Sequence, residues 1–292
     1  MSRAWNDLLL TQGGVVSRAQ ALEHGVPART ITRWVAEGRW LRIHPGVYLV
    51  GGHSLTDPAR IRAAWLWGGP DSVVSGPASA LWLGMLGRVP EGPIDVTIGR
   101  ELRRRPPPGV RLRRRDLDPL DRAMVRGIAV TEPALTVLET AAVLDDGATF
   151  LDRALQQRHV RFEALHEAYC RSVGSYGIAR ARELLVACAD RADSAAERRL
   201  IGLLRRAGVT GFVVGHPFGR TTIDIAFPGA RLAIEFDSWA WHTDPDRFNA
   251  DREKGNALVD AGWTLLRITW KELTERPDRV LARIRSALLR AA

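Results

Sequence analysis

Two short segments in the last third of the chain alternate polar with apolar side chains, and this pattern strongly constrains the fold. The first segment, residues 221–227, carries Asp224, and the second, residues 231–237, carries Glu235 and Asp237. Alternation with a period of two is typical of β-strands, and the Pro-Gly pair between the segments predicts a turn. The sequence therefore predicts two antiparallel strands joined by a short loop.

The three acids of these strands are expected to share one face. Opposed residues of antiparallel strands point the same way whether the loop holds two residues or four, so Asp224, Glu235 and Asp237 come together in either register. The other face is expected to be wholly apolar. Crowded carboxylates repel one another and lose hydration, and a divalent cation offsets both effects. His242, five residues beyond Asp237, is placed to bring a proton-transfer group to the same rim.

The composition indicates a globular protein that does not cross a membrane. The 292 residues, 46% of them hydrophobic, suffice for two or three domains with buried cores. Apolar runs are much shorter than a membrane span, and the N-terminus lacks the features of a signal peptide. Two cysteines with neither metal-binding spacing nor disulfide density favour a reduced compartment, so we expect the cytoplasm.

The charge of the chain favours a polyanion as partner. The formal net charge is +9, and residues 100–126 concentrate it, with ten arginines against four acids. Two interpretations of this segment stay open, a solvated loop and a surface that follows phosphates.

The first 52 residues predict a small helical domain that ends in a hairpin. Ser17 begins a capping box at the start of a second helix, and residues 27–35 form a third helix with proline at its start. Arg29, Thr30 and Arg33 face outward on that third helix. Two short strands joined by His-Pro-Gly follow, and helix, turn, helix, wing is the order of a winged helix-turn-helix that binds DNA. A winged helix used for protein contacts is the alternative.

Residues 15–50, VVSRAQALEHGVPARTITRWVAEGRWLRIHPGVYLV, resemble the N-terminal winged domain of AbiEi-type antitoxins, the DNA-binding half of an abortive-infection system. In that family the wing is commonly followed by an α/β region. Residues 53–192 fit such a region, with helices alternating with short strands and no catalytic grouping.

From residue 193 onward the predicted elements run helix, three strands, helix, strand, helix, and this order resembles the PD-(D/E)XK nuclease core. The resemblance is to the branch typified by very short patch repair (Vsr) endonucleases, and the residues that carry it are Asp224, Glu235-Phe236-Asp237, His242, Asp251-Arg252 and residues 262–267. It implies a nuclease in which Asp224 and Glu235 hold Mg²⁺ or Mn²⁺, the ions that hard oxygen ligands select.

One position departs from the broad superfamily pattern, because Asp237 stands where a lysine is usual. The two lysines of the chain are Lys254 and Lys271, so either another group has taken the catalytic role of the usual lysine or the nuclease activity is lost. The Vsr-like resemblance implies an acid at this place and a histidine further on, which makes His242 a proton shuttle or a phosphate contact.

Three more residues have two open interpretations each. Glu197 is either a further acid near the metal or the end of a capping box that begins at Ser194. Arg252 and Lys254 either contact DNA phosphates or solvate a polar helix face.

Together these features predict a mixed α/β protein, α+β overall, with a winged helix over residues 1–52, an α/β region over residues 53–192 and a nuclease core over residues 193–292. The predicted function is metal-dependent DNA cleavage, in defence or repair. The alternatives are an antitoxin-like repressor whose nuclease-like domain binds DNA without cutting it, and an RNA-directed toxin.

Overall fold

The computed structural model describes residues 2–236 and 245–291, and within them it contains helices and three β-sheets. The predicted mixed α/β class is therefore confirmed. The chain forms two compact units, Met1–Ala181 and Arg182–Ala292. The division into three domains at residues 52 and 192 stays a prediction. In the described part of the chain, no helix combines the length and the apolar character needed to cross a membrane.

The N-terminal part of the first unit contains three helices and a three-stranded sheet. Their bounds are α1 Arg3–Gln12, β1 Val15–Ser17, α2 Arg18–Glu23, α3 Ala28–Ala36, β2 Trp40–His44 and β3 Val47–Val50. The predicted capping box is present, since the Ser17 hydroxyl accepts from Gln20 N at 3.1 Å and the Ser17 amide donates to Gln20 Oε1 at 2.9 Å. The element order is that of the predicted helix-turn-helix with a wing.

An aromatic core holds α3 against the wing. Trp5 and Trp40 are buried and stack with their ring centroids 6.0 Å apart, and Ile31 of α3 packs in the same cluster. Burial of one face of α3 leaves Arg29 and Arg33 exposed on the other, as predicted from the apolar spacing.

The rest of the first unit is built on a five-stranded sheet. The bounds are α4 Asp57–Gly68, β4 Val73–Val74, α5 Gly76–Trp82, β5 Ile94–Ile98, β6 Val110–Arg114, β7 Arg122–Val125, β8 Ile128–Thr131, α6 Pro133–Ala141, α7 Gly147–Gln156 and α8 Phe162–Arg171. The strand order is β6-β5-β4-β8-β7, with β5–β6 and β4–β8 parallel. Alternating helices and strands agree with the α/β character predicted here.

Some arginines of the segment 100–126 form ion pairs with buried acids. Arg111 Nη2 and Arg113 Nη2 donate to Asp95 Oδ2 at 2.8 and 3.1 Å, and Arg115 donates to Glu139 Oε1. Both acids are buried, so these five residues form a group that we call the arginine-acid cluster. Three arginines of the segment are therefore engaged with buried acids.

Residues 178–206 form one continuous helix, α9 Ile178–Arg206. The sequence predicted that a helix begins at residue 193 or 194, and that start was wrong, because the helix begins at Ile178. The Ser194 hydroxyl donates to the Asp190 carbonyl at 3.1 Å, four residues back, so Ser194 lies inside the helix and does not cap a new one.

The second unit contains a four-stranded sheet with helices on both faces. After α9 the bounds are β9 Val213–Phe218, β10 Thr221–Phe227, β11 Leu232–Phe236, α10 Pro245–Asp260, β12 Thr264–Ile268, α11 Trp270–Glu275 and α12 Pro277–Ala291. The strand order is β12-β11-β10-β9, with β11 and β12 parallel and the other pairs antiparallel. The predicted order of helix, three strands, helix, strand and helix is present, with the short α11 in addition.

The face opposite the acids carries the apolar side chains expected there, and the acid-bearing face is also apolar where α10 covers it. Ile225 and Ile234 pack in one cluster, while Ile223, Ala226 and Ala233 pack in a second cluster with Leu258 of α10. Ile223 packs in the second cluster although Ile225, two residues later, packs in the first, and β10 keeps one register with β9 across both residues.

Candidate active site

Strand pairing brings Asp224 and Glu235 side by side, and we call these two residues the carboxylate pair. In the antiparallel register of β10 and β11, Ile225 lies opposite Ile234 and Phe227 opposite Leu232. The same register extended by one residue places Asp224 opposite Glu235. The short-range pattern of the sequence was therefore sufficient to predict their neighbourhood.

The carboxylate pair interrupts the backbone ladder with side-chain hydrogen bonds. Asp224 N donates to Glu235 Oε1 at 3.3 Å, and Phe236 N donates to Asp224 Oδ2 at 3.0 Å. Each carboxylate thus accepts from an amide of the opposite strand. These reciprocal bonds fix both side chains at the end of the strand pair.

Burial makes the charge of Glu235 costly. Glu235 is only 6% exposed, and burial followed by the nearby Asp224 carboxylate raises its pKa to about 7, against the lowering effect of Lys254. Two carboxylates held this close in a desolvated position attract a cation.

Lys254 of α10 supplies one such cation. Its ammonium donates to Glu235 Oε2, and its side chain is 15% exposed. The structure therefore places Lys254 against the carboxylate pair. Leu258, one turn later, is fully buried against the sheet, and residues four apart share a helix face. That spacing was the signal in the sequence that Lys254 points to the site.

Glu197 of α9 lies close enough to Asp224 for the charge of Asp224 to affect the pKa of Glu197. Burial first, and then the Asp224 carboxylate, raise the pKa of Glu197. Ala196 and Leu200 are buried on the same helix, which orients this part of α9 towards the sheet. Since α9 is continuous at Ser194, the capping-box interpretation of Glu197 was wrong. Its proximity to Asp224 leaves the interpretation as an acid near the site.

Two further residues of the predicted set lie on α10. Asp251 Oδ2 accepts from Arg267 Nη2 of β12 at 2.9 Å, and this ion pair ties the helix to the sheet. Arg252 is exposed. Asp237 and His242, both predicted as site residues, lie outside the described residues.

The chemistry of the carboxylate pair fits a hard divalent cation. Within the described residues, no group of three His, Cys, Asp or Glu side chains could enclose a metal. Mg²⁺ needs no such enclosure, because it usually keeps several waters and binds through one or two carboxylates together with substrate phosphates. Asp224 and Glu235 retain free lone pairs beside the amide bonds that they accept. The pair therefore fits two positions of an octahedral shell.

The outer face of α3 is the candidate DNA surface of the first unit. Arg29 and Arg33 are exposed, and Thr30 is half-buried. Arg33 Nε lies 3.7 Å from Glu37 Oε1 in an exposed ion pair, which is weak enough for a phosphate to replace.

Two family models match the chain, one near each end. Residues 6–51 match the family described as transcriptional regulator, AbiEi antitoxin. Residues 197–288 match REase_MTES_1575, a restriction endonuclease-like family. The chain thus joins an AbiEi antitoxin-like region to a restriction endonuclease-like domain.

Similar proteins include two from Mycobacterium tuberculosis, the uncharacterized proteins MT2308 and Rv2248. Each is 33% identical over 174 residues, which are 57% of this chain. The chain spans 64% of the length of these curated relatives. The crystal structure of the RV2827C protein from the same organism matches at 20% identity and a TM-score of 0.34, over 63% of this chain and 79% of that one. At that TM-score the likeness supports no inference.

Proposed function

We propose that this protein is a metal-dependent DNA endonuclease whose winged helix-turn-helix holds the nuclease domain on DNA. The observation that carries the proposal is the carboxylate pair, locked by reciprocal amide bonds and contacted by Lys254. Glu235 is buried beside the half-buried Asp224, and a divalent cation would offset the cost of holding two negative charges so close together.

Asp224 and Glu235 are the residues that would hold Mg²⁺ or Mn²⁺. When bound, such an ion polarises a phosphoryl oxygen and lowers the pKa of a water molecule that attacks phosphorus. The amides of Asp224 and Phe236 keep the two carboxylates in place before DNA arrives, so the site is preorganised. Glu197, near Asp224, adds negative charge that strengthens attraction of a cation.

Lys254 takes the place of the lysine that the superfamily pattern puts at position 237. Its ammonium reaches Glu235 from α10, a different element, and therefore brings the same charge to the same carboxylate. That charge offsets negative charge that develops on the phosphate oxygens. His242 gives a proton to the leaving oxygen, a role that its ordinary pKa near neutrality suits.

The finer proposal is a Vsr-like nuclease, based on Asp237 and His242 after Glu235. We place its action in the cytoplasm, on duplex DNA, in defence or repair. Arg29, Thr30 and Arg33 bind the duplex in the first unit, and Arg252 contacts phosphate beside the carboxylate pair. The three-part division into residues 1–52, 53–192 and 193–292 corresponds to DNA binding, a connecting α/β region and cleavage.

A plasmid-nicking assay tests the proposal. Wild-type protein should convert supercoiled plasmid to nicked or linear forms with Mg²⁺ or Mn²⁺, and chelator should stop the reaction. Asp224→Asn should lose the activity, whereas Asp260→Asn, which removes an exposed acid at the end of α10, should keep it. Equal cleavage by Asp224→Asn and wild type would overturn the assignment.

A second candidate is an antitoxin-like repressor that binds DNA without cutting it. It is favoured by the match of residues 6–51 to a transcriptional regulator family and by the ion pair of Lys254 with Glu235, which neutralises that acid without a metal. Under this alternative, duplex binding is retained and the nicking assay shows no metal-dependent product.

A further inference from the structure

Two guanidinium groups of the first unit stack on one tryptophan. Trp82 of α5 is 5% exposed, and the Cζ atoms of Arg62 and Arg126 lie 5.4 and 4.5 Å from its ring centroid. Arg62 belongs to α4 and is only 6% exposed, whereas Arg126 lies in the turn between β7 and β8 and is exposed. Segments far apart in the sequence thus bring two positive charges to one place.

These two arginines are bonded to carbonyl groups, and not to acids. Arg62 Nη2 donates to the Arg126 carbonyl at 3.0 Å, and Arg126 Nη2 donates to the Trp82 carbonyl. Within the described residues, neither forms an ion pair with a carboxylate. Burial, and then the neighbouring Arg126, lower the pKa of Arg62. Five donors per guanidinium leave several N–H groups of each side chain available to an anion.

The backbone at Arg126 is held in an unfavourable conformation. Val125 pairs with Ile128, so Arg126 and Gly127 form a two-residue hairpin loop, with φ of 48° and 70°. Such loops favour Asn-Gly or Asp-Gly, because both residues need positive φ. A long charged side chain in this position costs stability, and strained residues of this kind are concentrated at ligand-binding sites.

The arginines line an open groove of about 440 Å³. This volume lies within the range of roughly 300–1,000 Å³ that is typical of small-molecule sites. Besides the two arginines, α1 and α2 contribute polar side chains, namely Asp7, Thr11, Gln12, Gln20 and His24. Two arginines against one aspartate leave this groove with a positive balance.

We propose that this groove, which we call the Arg126 groove, binds a small phosphate-bearing molecule whose phosphate is held by Arg62 and Arg126. Guanidinium groups bind phosphate through paired, charge-assisted N–H bonds, and stacking on Trp82 fixes their planes in advance. The polar side chains of α1 and α2 contact the rest of the ligand. The site lies in the first unit and is independent of the carboxylate pair.

Isothermal titration of the full chain tests this site, with adenosine 5′-monophosphate and inorganic phosphate as probes and adenosine as the uncharged control. Both phosphates should bind wild type, and adenosine should not. Arg126→Asn restores the residue pair that the turn prefers, so it should keep or raise the melting temperature and weaken phosphate binding about tenfold or more. Arg62→Lys keeps the charge but loses the planar fork, and it should also bind more weakly.

Arg122→Asn is the matched control. Arg122 lies on the same hairpin, is exposed and donates only to a backbone carbonyl, that of Asp71, at 3.2 Å, so its loss should leave phosphate binding unchanged. Equal phosphate binding by Arg126→Asn and wild type would overturn the proposal. So would binding of a short DNA duplex that depends on Arg126 while neither small phosphate binds, because the arginines would then belong to the nucleic-acid surface.

Discussion

Each unit holds two neighbouring acids whose charges are compensated differently: Asp95 and Glu139 in the first unit are both buried, and in the second unit Glu235 is buried and Asp224 half-buried. In the arginine-acid cluster, Asp95 is bonded to Arg111 and Arg113, and Glu139 to Arg115. Glu139 also accepts from Gly76 N at 3.0 Å. In the carboxylate pair, Glu235 accepts from the Lys254 ammonium and from Asp224 N, and Asp224 accepts from Phe236 N.

The difference indicates what each group of acids is for. Burial raises the pKa of Glu139, and its two neighbouring arginines act against that effect. The acids of this cluster are thus matched by permanent charges of the chain, as in a structural ion-pair network. The carboxylate pair is left with excess negative charge, which suits a site that receives a cation from solution.

The largest effect is expected for the proton-transfer group of the candidate active site. His242→Ala should reduce cleavage about 10²- to 10⁴-fold, the usual range for general acid-base catalysis, while Mn²⁺ and DNA binding change little. The initial rate of plasmid nicking measures the loss of cleavage in His242→Ala.

Lys254→Met is the companion variant, because Lys254 contacts Glu235 directly. If Lys254 alone carries the catalytic charge, the cleavage rate of Lys254→Met should drop by the factor given above for His242→Ala. The cleavage rate of His242→Ala should then drop by less than that factor. Full activity in His242→Ala would remove the proposed role of the imidazole.

A large effect on folding is expected in the other cluster. Asp95→Asn removes the charge that pairs with the largely buried Arg113 and the half-exposed Arg111, and breaking a buried pair such as Asp95 with Arg113 costs about 3–5 kcal/mol. Asp224→Asn keeps an acceptor for Phe236 N and loses a repulsion, so its cost should stay below about 1.5 kcal/mol, the net worth of one hydrogen bond. Urea denaturation of the two variants compares the costs directly, and equal costs would contradict the distinction drawn between the two clusters.

Metal binding should depend on the carboxylate pair and not on the arginine-acid cluster, which reverses the order expected for stability. Asp224→Asn should weaken Mn²⁺ binding by more than about 100-fold, since the loss of even an outer-sphere partner of a metal typically costs about 10- to 100-fold. Glu139→Gln should leave Mn²⁺ affinity unchanged, because its carboxylate is already engaged with Arg115 and Gly76 N. Calorimetry with MnCl₂ measures both, and unchanged affinity in Asp224→Asn would dismiss the carboxylate pair as a metal site.

The smallest effect concerns exposed charges. Replacing Arg29 and Arg33 together with alanine should weaken duplex binding and reduce the slope of log K against log salt by about 2, or about 0.9 per phosphate contact. Arg3→Ala, which removes an exposed arginine of α1, should leave the slope unchanged. If the double variant keeps the wild-type slope, α3 is not the DNA surface.

Local patterns were sufficient to predict much of the fold. Alternation with a period of two placed Asp224 and Glu235 together, and the Ser17 capping box marked the start of α2. A similar signal was overlooked at Thr269, whose capping box with Glu272 opens α11. Ser194 shows the limit of such signals, because the same motif occurs inside a long helix where the backbone amides are already satisfied.

Contacts between distant residues were not predictable from local patterns. The bonds of Arg111 and Arg113 to Asp95, and of Lys254 to Glu235, join elements that only the sheet topology brings together. A count of charges along residues 100–126 therefore could not distinguish the arginines that face buried acids from those that face solvent.

The reciprocal amide bonds of the carboxylate pair also bear on how this site would evolve. Asp224 and Glu235 hold β10 and β11 together where the regular ladder stops, so selection for folding alone would preserve them in a descendant that no longer cuts DNA. Among the described residues, Lys254 forms no comparable bond to the backbone of that strand pair. In a set of descendants, loss of the lysine would therefore precede loss of the two acids once selection for cleavage was relaxed.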